Sequence, residues 1–331
     1  MRTQVCITVD VEFSISGAFA DPIGRQPAGP VSATCPVDDA SSGLDFILDT
    51  LERHGLRGVF FVEVLNTCYF GDPPMETIAR YIRDRGHDVQ MHLHPCWIMF
   101  SQPDWRTLVE SGAPTDSLAG MDEKRLEELL TAGLAVFTRW RLPRPCAFRA
   151  GNLQVDAKIY PILKRLGIPL SSNIGLGAYR PEDPGLHLAG GRHWIDGVLE
   201  LPVASHRYFN FGSYERWKTF TVIGTGADEA AEILRAAAKS NASPVTVLTH
   251  PSEFVKKTAA DYDSLRVNVL SRNRLQKLCE FLSNHQDEFE VTTFSKSLPA
   301  WTAHEGTINP SWRITPLAIA KRLIENHLTV S

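Results

Sequence analysis

The sequence predicts an α/β protein whose parallel strands close on themselves as a barrel. Apolar runs of the buried-strand type alternate with segments of helical periodicity between residues 5 and 294. Such alternation implies parallel pairing through right-handed crossovers. About seven of these units recur, which fits a closed barrel better than a flat open sheet. No G-x-G-x-x-G or G-x-x-x-x-G-K-[ST] follows a strand, so a nucleotide-binding sheet has no support.

Taken in order, Val5–Val9 reads as a buried strand that runs into Asp10, Val11 and Glu12. Residues 14–40, rich in Gly, Pro, Ser, Ala and Asp, read as a long loop, and loops of that length in compact domains tend to carry function. Leu44, Ile47, Leu48 and Leu51 follow helical spacing and Gly55 supplies a stop. Gly58–Val64 is the second strand, Glu76–Arg85 a helix closed by Gly86, and His87–His94 the third strand. Asp122–Trp140 repeats apolar residues at helical spacing, Cys146–Arg149 is a short strand, and Asp156–Leu166 is a helix closed by Gly167. Strands are then expected at Leu199–Val203, Thr219–Ile223, Val245–Leu248 and Phe289–Phe294, with helices at Asp228–Lys239 and Arg272–Leu282. Residues 1–300 make the barrel. Residues 301–331 form a tail with one helix from Pro316 to about Asn326, expected to dock on its own barrel; the oligomeric state is left open.

The 331 residues carry 34 Lys+Arg against 38 Asp+Glu, a net charge of −4, which gives no electrostatic drive towards nucleic acid or an anionic membrane. No apolar stretch approaches the ~18 residues that would span a bilayer. Asp10 and Glu12 interrupt the first apolar run where a secretory signal would continue, so the expected compartment is the cytoplasm. Six cysteines without a C-x-x-C pair read as reduced core residues, with Cys96 held apart from that reading.

In a parallel barrel, chemistry gathers at the carboxyl ends of the strands. Those ends carry Asp10 and Glu12, His92 and His94, Arg149, and His250. Residues two apart share one face of an extended strand, which pairs Asp10 with Glu12 and His92 with His94. Carboxylates and imidazoles converging on one mouth make a divalent-metal site with N/O ligands. Zinc is the first expectation, with cobalt, nickel, manganese and iron compatible.

Five short motifs, in this order, resemble those of the polysaccharide deacetylase superfamily (carbohydrate esterase family four, nodulation-type deacetylases): Thr8–Glu12, Gly86–His94, Phe148–Asn152, Leu201–Pro202 and Leu248–His250. Gly58–Val62 also resembles that family's second strand, and the likeness spans roughly residues 4–296. It implies a deformed (β/α) barrel of about seven strands and a metal-dependent hydrolase that removes N-acetyl groups from amino sugars. Position by position, it implies Asp10 as catalytic base, Arg149 as the partner of that base, and His250 as general acid. Glu12 and His92 are implied as metal ligands. Where the family's second histidine falls, four residues after the first, this chain has Cys96, so the third ligand is His94 with Cys96 as the alternative. Asn152 stands where many members carry Tyr and is expected near the oxyanion, and Trp97 is a candidate for stacking on the sugar. The substrate expected is an amino sugar or glycan. Two further readings are hydrolysis of another C–N bond, as in deformylases or allantoinase-like enzymes, and a barrel that binds glycan without catalysis.

Overall fold

The computed structural model describes residues 2–112, 115–211, 214–257, 262 and 264–328, with side chains except at 209–211, 214 and 328. The first strand, β1 (Thr3–Val11), is buried along almost its whole length and pairs with three neighbours in a nine-stranded, mostly parallel sheet. It is flanked on one side by β8 (Val245–Thr249), in register from Val5 opposite Val245 to Val9 opposite Thr249. On its other side its carboxyl half pairs with β2 (Val59–Glu63) and its first residues with β9 (Phe289–Val291). The sheet continues through β3 (Asp88–Leu93), β4 (Ala147–Ala150), β5 (Leu170–Ser171) and β7 (Val198–Glu200), all parallel. Only β6 (His193–Ile195) runs antiparallel, against β7. Beyond β7 the circle is completed by single bridges, Val203 to Thr246 and Thr221 to Leu248. Seven parallel strands (β1, β2, β3, β4, β5, β7 and β8) therefore surround the core, and weak pairing between β7 and β8 is what deforms the barrel.

The helices follow from their apolar spacing. Leu44, Ile47, Leu48 and Leu51 are buried on one face of Leu44–Arg53, and Gly55 at φ 69° makes the turn that ends it. Asp122 caps Glu123–Arg139 by accepting from the Arg125 N–H. The expected strand at Phe289–Phe294 ends at Val291, because Thr293 caps a helix, Phe294–Thr302, by accepting from the Lys296 N–H. That helix runs across residue 300. The expected strand Thr219–Ile223 shrinks to the Thr221 bridge, since Thr219 ends a hairpin strand, Tyr214–Thr219, paired with Ser205–Phe211. β5 escapes periodicity because it is only two residues long. The helix Pro316–Leu328 packs on the helix Ala227–Ser240 through Arg322 to Glu229 (3.0 Å) and Lys321 to Asp228. All six cysteines are free thiols, four of them buried. No helix among the described residues is long and apolar enough to cross a membrane.

Candidate active site

The barrel register builds the site. Glu63 of β2 is paired with His92 of β3, and His92 with Arg149 of β4, so these three side chains share one row on one face. Asp10 lies on the same side of β1, opposite Phe61. Arg149 is fully buried and nearly saturated. Its Nη1 donates to Asp10 Oδ1 (2.7 Å) and Thr8 Oγ1 (2.8 Å), and Nε and Nη2 donate to the carbonyl and hydroxyl oxygens of Ser172 (3.0 and 2.8 Å). Its guanidinium lies 4.2 Å over the Phe61 ring. On the other side of Asp10, His250 Nε2 stands 3.9 Å from Oδ2, while its Nδ1 donates to Glu253 at 2.9 Å.

Next to this trio, Glu12, His92 and His94 present ligand atoms to one another. Glu12 Oε2 is 2.7 Å from His94 Nε2 and 3.4 Å from His92 Nε2. His92 Nδ1 faces the Arg149 carbonyl oxygen at 2.9 Å, so that nitrogen carries the hydrogen and Nε2 offers a lone pair. His92 Nε2 is buried and has no hydrogen-bond partner among the described residues. A bare lone pair beside a carboxylate is repulsive unless a cation or proton lies between them, so the donor set fits a divalent metal. His94 Nδ1 donates to Asp116 Oδ2 at 2.8 Å, the carboxylate–imidazole arrangement that orients metal-binding histidines. Its ring lies directly on Gly151, where a Cβ would fall 2.4 Å from Nδ1.

The charges are coupled. Burial opposes ionisation of Glu12, but the His94 charge and the contacts with His92 and His94 outweigh it and hold the carboxyl well below its usual range. Burial likewise opposes the His94 imidazolium, and Glu12 and Asp116 together raise it well above its ordinary value. Burial pulls His250 down, but the hydrogen bond and charge of Glu253, with Glu12 and Asp10 behind, push it up to about 9.

Asp10, Glu12, His92, His94, Arg149 and His250 are therefore assembled at one mouth. Cys96 groups with His94 and Asp116, its sulfur within 4.8 Å of their ligand atoms. Pro95 opens a 3-10 turn (Pro95–Ser101) directly after His94, which carries Cys96 towards Asp116 and away from the strand direction. Burial pushes its thiol up to about 12. Asn152 lines the cavity, but its amide donates to Asp116 Oδ2 (2.9 Å), so its side chain steadies the partner of His94. Trp97 also lines the cavity; it is 1% exposed and packed against Phe70 and Phe100, a wall more than an open stacking face.

Sequence reasoning missed Asp116, which sits in an irregular loop with no periodic signal. It also missed Glu253, for which the His250-Pro-Ser-Glu253 spacing was a usable cue: a carboxylate three residues on can turn back to the ring. Glu63 was a third omission. It is an acidic residue at the end of a buried strand, as Asp10 is, and burial pushes its carboxyl up to about 8.

No family model matches the chain, and no curated protein matches its sequence. Solved structures match its fold. A candidate polysaccharide deacetylase from Mycobacterium smegmatis aligns with a TM-score of 0.56 at 17% identity, over 95% of each chain. Puue allantoinase aligns at 0.50 and 12% identity, over 91% of this chain and 90% of that one. The deformed (β/α) barrel expected from the sequence is the fold observed.

Proposed function

We propose, with the shared polysaccharide deacetylase fold as premise, that the chain is a metal-dependent hydrolase removing an N-acetyl or other N-acyl group from an amino sugar. The observation that carries this reading is the pair of tautomer-fixed imidazoles, His92 and His94, facing Glu12 beside the Arg149–Asp10–His250 trio. Glu12, His92 and His94 would hold the cation, with zinc the first candidate for two imidazoles and a carboxylate. A divalent ion there supplies Lewis acidity towards the acyl oxygen and makes water more acidic.

The chain's own residues do the rest. Arg149 fixes one oxygen of Asp10, which leaves Oδ2 on the His250 side to accept the proton of the attacking water. His250, held by Glu253 through Nδ1, presents Nε2 to donate a proton to the departing nitrogen. An amine leaves poorly without that proton, so the tetrahedral intermediate would otherwise collapse back to the amide. A backbone N–H near Asn152 is the proposed extra donor to the oxyanion. Cytoplasmic amino-sugar intermediates are the proposed substrates. The test is to purify the protein with zinc, measure metal stoichiometry, and assay acetate, formate and ring-opened products on a substrate panel. Acetate release that is lost on chelation supports the proposal. Hydrolysis unaffected by chelation, or ring opening alone, overturns it.

Two expectations follow. Because the proposed acid must be protonated, activity falls as pH rises through the His250 pKa, at or somewhat below about 9, since a cation at Glu12 offsets that carboxylate's pull. Glu253→Gln removes the strongest stabiliser of the imidazolium and moves the basic limb of the kcat profile towards the ordinary histidine range. Asp116→Asn leaves His94 without its carboxylate partner, and metal affinity drops ~10–100-fold in a chelator-competition titration. An unchanged affinity would show that Asp116 does not orient the ligand.

A further inference from the structure

One cysteine differs from the others in what surrounds its sulfur. Cys6 and Cys279 are buried among apolar side chains, where a thiol acts as a small hydrophobe. Cys96 also packs on the core, at 4% exposure, but its Sγ faces polar groups. That sulfur, a ring nitrogen of His94 and a carboxylate oxygen of Asp116 all lie within 4.8 Å of one another. Nδ1 is the His94 nitrogen on this side, 2.8 Å from Asp116 Oδ2. Among the described residues no other cysteine joins such a group. The trio is held in place from several directions. Pro95 turns the backbone directly after His94, the Cys96 N–H donates to Asp116 Oδ1 (3.3 Å), and the Asn152 amide donates to Asp116 Oδ2 (2.9 Å). Gly151 lies so close under the His94 ring that a Cβ there would strike it, which fixes where both ring nitrogens point.

A thiolate, an imidazole and a carboxylate suit a divalent cation of the zinc class, and the sulfur favours it over magnesium, calcium or manganese. His94 serves two groups at once. Its Nε2 faces Glu12 (2.7 Å) in the set proposed for the hydrolytic ion, and its Nδ1 faces the set that contains Cys96. Resting on the reading of Glu12, His92 and His94 as the first site, we infer that His94 bridges two cations, the second held by Nδ1, Cys96 and Asp116. Binding the second ion releases two protons, one from the Cys96 thiol and one from Nδ1, and no electron moves. A coordinated thiol gives up its proton outright, so the high pKa of the free thiol is no barrier. Glu12, Asp116, the thiolate and the imidazolate then balance the charge of both ions. Asp116 orients His94 while the second site is empty and becomes a ligand when it fills. The cavity reaches His94, Cys96 and Asp116, which gives the ion an entry path.

The test titrates the metal-free protein with cobalt(II) alone. Bound ion is counted by equilibrium dialysis, and the near-ultraviolet thiolate-to-cobalt charge-transfer band reports sulfur ligation. The expected result is about two ions per chain, one of them with the sulfur band. Cys96→Ser is expected to keep about one ion and lose the band, whereas His92→Ala, which dismantles the first site, keeps the band. Glu12→Gln dismantles the same site and takes the place of His92→Ala if that variant does not fold. A single ion per chain, a second ion without the sulfur band, or a band lost on dismantling the first site overturns the inference. The last of these would make Cys96 a ligand of the hydrolytic ion. Saturation at one ion, with hydrolysis still abolished by chelation, leaves the deacylase reading intact. A chain that takes up no cobalt removes the proposed hydrolytic metal as well.

Discussion

Asp10→Asn is expected to lose hydrolysis by ~10²–10⁴-fold while keeping its metal, the range associated with removing a positioned base. The substitution is nearly isosteric. An amide oxygen at this position can still accept from Arg149 Nη1, as the carboxylate does at 2.7 Å, so the buried geometry persists. What disappears is an acceptor for the water's proton. The proposed ligands Glu12, His92 and His94 are separate side chains, so metal content by plasma emission should stay at the wild-type value. A variant that keeps its metal and remains fully active would exclude Asp10 as the base, and one that loses its metal would move Asp10 into the ligand set. Measuring rate and stoichiometry on the same sample separates these outcomes.

Arg149→Met is expected to damage both fold and activity. Arg149 is completely buried, and Asp10 has a side chain only 5% exposed. Removing one partner of such a pair leaves an uncompensated buried charge and costs about 3–5 kcal/mol. Spread over 331 residues at about 2.1 cal/mol/K per residue, that lowers Tm by roughly 4–7 °C. The loss also strands acceptors on Ser172 and Thr8, which now receive Arg149 hydrogen bonds. The double variant with Asp10→Asn should fall short of the sum of the two single effects, because the residues share one interaction. Additive losses in calorimetry would show that the ion pair contributes little and that Arg149 acts through its other contacts.

Much of the barrel was legible because the period of a strand and that of a helix are written in consecutive residues. Leu44–Leu51 and Leu126–Phe137 announce which face is buried, and the structure buries those faces. The boundaries that moved did so where one polar side chain decides, as Thr293 does by capping a helix where an apolar run would extend a strand. The short strand Leu170–Ser171 and the hairpin Ser205–Thr219 left no comparable pattern. At the site, the ends of strands pointed to Asp10, Glu12, His92, His94, Arg149 and His250. Pro95 opens a 3-10 turn directly after His94, which only the folded chain shows, and it brings Cys96 beside His94 and Asp116. Asp116 reaches His94 from 22 positions along the chain, and nothing in its neighbours' composition foretells the contact.

The sequence by itself determined that strands alternate with helices and that Asp10 pairs with Glu12, and His92 with His94, on common faces, since alternation of faces is a local property of extended chain. Tertiary structure alone decided that Glu63 joins the row of His92, that Asp116 turns to His94, and that the segment 14–42 lends Ser14, Ile15 and Ser32 to the cavity wall. The physical reason is register: which residue faces which across neighbouring strands is fixed by packing of the whole barrel, a cooperative property that no short stretch of sequence contains.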